Sequence, residues 1–95
     1  MTTHNIKLRV EFCDAVVSGE KSFEIRRNDR GYQRGDHIIF QAVERDGQQV
    51  YPVPHPVNDL EFEITYVLNG YGLENGFVAF GIKCLGGVVD EREYQ

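Results

Sequence analysis

Hydrophobic and polar positions alternate from His4 to Arg9, with Ile6 and Leu8 on one side and Lys7 and Arg9 on the other. That period of two predicts a first β-strand. From Val10 to Ser18 the period lengthens: Phe12, Ala15 and Val16 fall at i, i+3 and i+4, the stripe of a short helix. Gly19 follows where a left-handed residue would end it. Alternation resumes from Ser22 to Arg27, which predicts a half-buried strand with Phe23 and Ile25 on one face and Ser22, Glu24 and Arg26 on the other. Asn28-Asp29-Arg30-Gly31 supplies a turn, and His37–Val43 a further strand. Arg45-Asp46-Gly47 predicts a hairpin turn with a return over Gln48–Val53. Pro52, Pro54 and Pro56 cannot donate to a ladder and mark an edge or extended connector around His55. Leu60–Leu68 is the clearest strand, alternating Phe62, Ile64, Tyr66 and Leu68 with Glu61, Glu63, Thr65 and Val67. Phe77–Leu85 follows a glycine-rich connection, with Val78, Phe80 and Ile82 facing one way.

One short helix and five or six strands joined by tight turns predict a mainly β (α+β) domain, a small barrel or sandwich. Residues 1–85 are expected to form this domain and 86–95 a flexible tail. At 95 residues the chain holds one core, burying roughly 60–65% of its unfolded surface. Six Phe and five Tyr fill such a core without metal or disulfide. Cys13 and Cys84 lie far apart in apolar contexts and are expected as buried thiols. There is no signal-peptide pattern and no apolar run near the ~20 residues of a membrane span, so a cytoplasmic, monomeric protein is expected.

Charge changes the picture. The formal net charge of −5 argues against a general nucleic-acid binder. Residues 21–34, however, carry Lys21, Arg26, Arg27, Arg30 and Arg34 against only Glu24 and Asp29, while the rest of the chain holds five basic and thirteen acidic side chains. Half the positive charge is thus concentrated in one segment, where it can focus a local field on an anionic ligand.

Several chemistries lack support. His4, His37 and His55 show neither His-x-x-x-His nor Cys-x-x-Cys spacing, so no metal or other cofactor is expected. Gly70-Tyr71-Gly72 with Gly76 has the wrong spacing for a dinucleotide loop. Ser18 and Ser22 lack the context of a nucleophile elbow. The segment Gly19-Glu20-Lys21-Ser22-Phe23-Glu24-Ile25-Arg26 remains. Glu24 and Arg26 share a strand face at roughly 6.5–7 Å between Cα atoms. Lys21 has the wrong parity to join them in a regular strand, so a bend or bulge is predicted at Lys21–Ser22. An ammonium, a carboxylate and a guanidinium in one hollow would present donors and an acceptor to a base edge or phosphate. The alternative is a strand-stapling ion pair of Glu24 and Arg26.

The pattern Gly-x-Lys-x-x-Glu-x-Arg, carried by Gly19, Lys21, Glu24 and Arg26, resembles the signature of the ASCH superfamily. The wider run from His4-Asn5-Ile6-Lys7-Leu8 through Phe23–Arg30 and Gly35-Asp36, with closing strands at Tyr66-Val67-Leu68 and Phe77–Lys83, is similar to a bacterial and phage ASCH-like subfamily of unknown function. The resemblance implies a PUA-like β-barrel with one short N-terminal helix and a cleft, beside that helix, that binds RNA or a nucleotide-like ligand. Binding residues would be Gly19, Lys21, Glu24 and Arg26, joined by Arg27 and Arg30 as exposed phosphate contacts and Tyr32 as a stacking platform. Small bacterial relatives hydrolyse an acetylated cytidine with a lysine, a threonine and a glutamate. That implies Lys21 and Glu24 as catalytic candidates, with Glu24 where the threonine stands and Glu61 or Glu63 as the third member. A phage or host protein-interaction module is a further alternative, with the acidic remainder and the proline-rich edge as its surface.

Overall fold

The computed structural model describes residues 1–88. Chain order is β1 (Thr3–Arg9), α1 (Val10–Ser18), β2 (Phe23–Arg27), β3 (His37–Asp46), β4 (Gln49–Pro52), a 3-10 turn (Pro56–Asp59), β5 (Leu60–Leu68) and β6 (Phe77–Gly87). The strands form one sheet in the order β1-β3-β5-β6-β2, with β4 added to β3. β1 and β3 pair in parallel from Thr3↔His37 to Arg9↔Val43, and every other pairing is antiparallel. The expected mainly β architecture with one short helix is present, but the sheet is not closed into a barrel. β1 and β2 stand at its two ends, and the backbone hydrogen bonds that would join them are replaced by a side chain described below.

The core follows from the alternation. Ile6 and Leu8 of β1, Ile38 and Phe40 of β3, Phe62 and Ile64 of β5, and Val78 and Phe80 of β6 all point inward. Phe40 and Phe62 meet edge to face at 5.3 Å. α1 covers one end of the sheet with Cys13 and Val16, one residue off the expected stripe at its start, which leaves Phe12 41% exposed. Gly19 ends α1 at φ 86° and donates its amide to the Val16 carbonyl. The prolines end β4 and open the 3-10 turn, where His55 accepts from the Val57 amide and reaches Asp14 of α1 at 2.7 Å.

Several expectations are corrected. The hairpin turn lies at Gly47-Gln48, because β3 continues to Asp46. Alternation in β5 breaks at a register shift between Ile64 and Tyr66, so Thr65 and Tyr66 are both exposed and Tyr66 does not join the core. Cys84 is exposed, since β6 continues beyond β2 and past Ile82 has only β5 beside it. Gly86 and Gly87 belong to β6, and from residue 89 onward the expected tail lies outside the described residues. Among the described residues no helix is long and apolar enough to cross a membrane.

Candidate functional site

β2 is oriented opposite to the usual amphipathic strand. Phe23 and Ile25 are 47% and 52% exposed, whereas Glu24 is 3% exposed. Glu24 lies across from Phe80, and Arg26 from Val78. Residues directly opposite share a face, so the inward direction of Val78 and Phe80 carries Glu24 and Arg26 inward as well.

A buried carboxylate requires compensation, and Glu24 has two partners. Lys21 precedes β2 rather than lying in it, which resolves its parity. Its amide is held by the Ala15 carbonyl at 3.0 Å, and its ammonium turns back to the Phe23 carbonyl at 2.9 Å and to Glu24 Oε1. Arg26 Nε donates to Glu24 Oε2 at 2.9 Å, and the far end of its guanidinium donates to the Lys7 carbonyl oxygen of β1. Three of the predicted site residues therefore converge. The cation side chains stay 19% and 25% exposed while that of Glu24 is 4% exposed. Glu24 is the sealed anchor, and Lys21 and Arg26 are what a ligand can meet.

These groups border a seam between the two end strands. A cavity of about 910 Å³ opens there, walled by Leu8–Phe12 at the junction of β1 and α1, by Lys21 and Phe23–Arg26, and by Val43, Glu44, Arg45, Gly47 and Val50 of the β3–β4 hairpin. The Lys21 ammonium lies 5.4 Å from the Phe12 ring centre and 5.0 Å from that of Phe23, within cation–π range of both. Lys7, Arg9 and Arg45 add positive charge at the margin. The cavity thus combines exposed apolar rings with hydrogen-bond donors.

Further along the seam, past Arg26, lies a depression of about 370 Å³ bordered by Asn5, Lys7, Arg26, Arg27, Asp29, Arg30 and Tyr32. Arg27 and Arg30 are exposed and, among the described residues, take part in no salt bridge. The Arg27 guanidinium rests 5.0 Å from the Phe77 ring centre.

Other predicted site residues separate from this group. Tyr32 is 5% exposed, with its ring 4.8 Å from both His4 and Phe80. With its ring packed into the core it offers no stacking platform, and burial pushes its hydroxyl pKa up despite nearby Arg26 and Arg30. Gly19 turns the chain out of α1 and lines neither hollow. Glu61 pairs with His37, and neither Glu61 nor Glu63 borders the cavity. Among the described residues no three His, Cys, Asp or Glu side chains converge as metal ligands would. Sequence reasoning missed Phe12, Phe23 and Ile25 as cavity walls, because an alternating pattern assigns such residues to a core. It also missed the β3–β4 hairpin, which reaches the site only through the parallel pairing of β3 with β1.

A family model described as a domain of unknown function, DUF3850, matches residues 3–82. The chain belongs to the DUF3850 family. The match contains every residue named above for the seam, so both hollows lie within the DUF3850 unit. The chain is also similar to an uncharacterized 12.9 kDa protein in the GpA 3′ region of Escherichia phage P2, 44% identical over 37 residues. That stretch covers 39% of this DUF3850 chain and 34% of the phage protein, so the similarity spans about a third of the relative's length.

Proposed function

We propose that this DUF3850 domain binds RNA, taking a nucleobase of a single-stranded segment into the cavity between β1 and β2. The observation that carries the reading is the pair of exposed rings, Phe12 and Phe23, both within cation–π range of the Lys21 ammonium in one open hollow. A base offers a π-face to such rings and carbonyl oxygens to such donors. The volume falls in the usual range of small-ligand sites, roughly 300–1,000 Å³, so a nucleotide-sized group fits. The acidic remainder of the surface repels a polyanion elsewhere, which directs it to the seam. The resemblance of Gly19, Lys21, Glu24 and Arg26 to the ASCH signature supports the same reading, with an open PUA-like sheet in place of a closed barrel.

Binding is favoured over hydrolysis of an acylated cytidine by the bonding of the triad. The Lys21 ammonium already donates to Phe23 and Glu24, and Glu24 already accepts from two cations. Glu24, sealed between two cations, is poorly placed to take a substrate proton, whereas the Lys21 ammonium keeps its third N–H for a hydrogen bond to a ligand.

The test is an amide chemical-shift titration with short single-stranded RNAs. Saturable shifts are expected at Arg9–Phe12, Lys21–Arg26 and Val43–Val50, and Phe12→Ala with Phe23→Ala should weaken binding tenfold or more, since base–aromatic stacking contributes about 1–3 kcal/mol per base. RNA binding unchanged in that double variant, or absent from the native protein, would remove the proposal. Turnover of N4-acetylcytidine that depends on Lys21 would replace it with hydrolysis.

A further inference from the structure

We infer that Arg26 divides the seam into a base half and a phosphate half, so that the ligand is a phosphodiester-linked strand and not a free nucleoside. The inference rests on the RNA-binding reading and specifies its substrate class.

The seam runs between β1 and β2, whose ends oppose each other: Arg9 and Phe23 border one hollow, and Asn5 and Arg27 the other. Lys7 and Arg26 border both, and the bond from the Arg26 guanidinium to the Lys7 carbonyl lies between them. The two hollows differ in chemistry. The larger is walled by the exposed side chains of Phe12, Phe23, Ile25 and Val50. In the smaller, Ile6 and Tyr32 are buried, and the accessible charged groups are Lys7, Arg26, Arg27 and Arg30 against the single carboxylate of Asp29.

Four cations around one shallow depression match an anion that is spread along a chain. Arg27 is further ordered by the Phe77 ring beneath it, and the turn that carries Arg30 is anchored where the Asn28 amide donates to the Gly76 carbonyl at 2.8 Å and Asn28 Oδ1 accepts from the Tyr32 amide at 3.1 Å. Such ordering lowers the conformational cost of engaging a phosphate. From Phe23 to Arg27 is four strand residues, roughly 13 Å. A lone nucleoside cannot span that distance. A linked strand spans it, with a base against Phe12 and Phe23, a phosphate on Arg27 and Arg30, and the backbone passing over Arg26.

Binding of uridine and of hexauridylate should be measured with the native protein, with Arg27→Gln/Arg30→Gln, with Arg27→Lys/Arg30→Lys and with Phe23→Ala, each variant checked for folding by circular dichroism. Hexauridylate is expected to bind at least tenfold more tightly than uridine. The glutamine pair should lose tenfold or more on hexauridylate, and its slope of log K against log salt should fall by about 0.7 for each phosphate released. Its uridine shifts should be unchanged, the lysine pair should keep most of the affinity, and Phe23→Ala should weaken both ligands. If hexauridylate binding and its salt slope survive the glutamine pair while Phe23→Ala still weakens it, the phosphate half is wrong and the base reading stands. If no RNA binds the native protein, both fall. An oligoglutamate peptide binding as tightly as hexauridylate with the same dependence on Arg27 and Arg30 would overturn the assignment in favour of an acidic protein partner.

Discussion

The guanidinium of Arg26 on β2 donates to the carbonyl oxygen of Lys7 on β1, so a side chain spans the two ends of the sheet where backbone pairing stops. The same guanidinium is fixed from behind by Glu24 at 2.9 Å. An open seam with a defined width follows from these two bonds, and with it the division into two hollows.

Glu24 should tolerate the loss of either cation but not of both. Lys21→Met leaves Arg26 on the carboxylate, and Arg26→Met leaves Lys21, so each single variant is expected to cost about 1–2 kcal/mol. Removing both strands a carboxylate whose side chain is 4% exposed, and the expected cost is about 3–5 kcal/mol, above the sum of the singles. Adding Glu24→Gln to the double variant should recover much of that loss. Urea midpoints of the five proteins measure the coupling, and additive singles would show that the three heads act independently.

Much of the fold was legible because its signals are local. The change of period at Val10, the glycine at position 19 and the run of alternating residues from Leu60 to Leu68 placed α1 and β5 at their observed ends. The inward face of β2 was not legible. Alternation says which residues share a face but not which face is buried, and Val78 and Phe80 of the neighbouring strand make that choice. Convergence of Lys21, Glu24 and Arg26 could be read from spacing, whereas the burial of Tyr32 and the exposure of Phe23 depend on strands far along the chain. Barrel closure was equally out of reach, since it depends on whether β1 and β2, the two end strands, find each other.

Acid stability should carry the signature of Asp36. This carboxylate is 7% exposed and accepts from His4 Nε2 at 2.8 Å and from the Thr2 and Gln33 amides at 3.1 Å. Burial alone would raise its pKa, but the His4 hydrogen bond, the two amides and the His4 charge outweigh it and hold the carboxyl below its ordinary 3.8. Between the two pKa values the unfolded chain binds a proton that the native chain does not, so unfolding there takes up a proton. The stabilisation is therefore complete above about pH 5 and is lost as pH falls through the unfolded value toward the folded one. Asp36→Asn should lower stability at neutral pH and flatten this acid limb. Denaturant midpoints of the two proteins from pH 2 to 6 should converge at the acid end, and parallel curves would show that Asp36 is not the titrating group.

The two thiols should differ sharply in reactivity. Cys13 is fully buried, its Sγ donating to the Arg9 carbonyl at 3.4 Å, and burial, together with the charges of Asp14 and Glu24, pushes its pKa up. Cys84 is exposed on β6. A thiol reagent at pH 8 should modify one group in the native protein and two in urea, because the thiolate is the reacting form. Cys84→Ser should abolish the native reaction. Modification of Cys13 at a comparable rate without denaturant would contradict the burial of α1 against the sheet.

The bulge in β5 makes a test of local packing. Thr65 and Tyr66 both face outward at the point where β6 presents Gly81, and a Cβ built on Gly81 would lie 2.5 Å from Thr65 Oγ1. Gly81→Ala should therefore force Thr65 aside and destabilise the protein by about 1–3 kcal/mol, the usual cost of overpacking. Thr65→Ala alone should stay within about 0.5 kcal/mol, because the residue is exposed. With both changes the contact disappears, since the Thr65 Cβ is 3.9 Å from the built atom. The double variant should then be more stable than Gly81→Ala by itself, and equal losses in the two would mean that the penalty comes from the β6 backbone and not from Thr65.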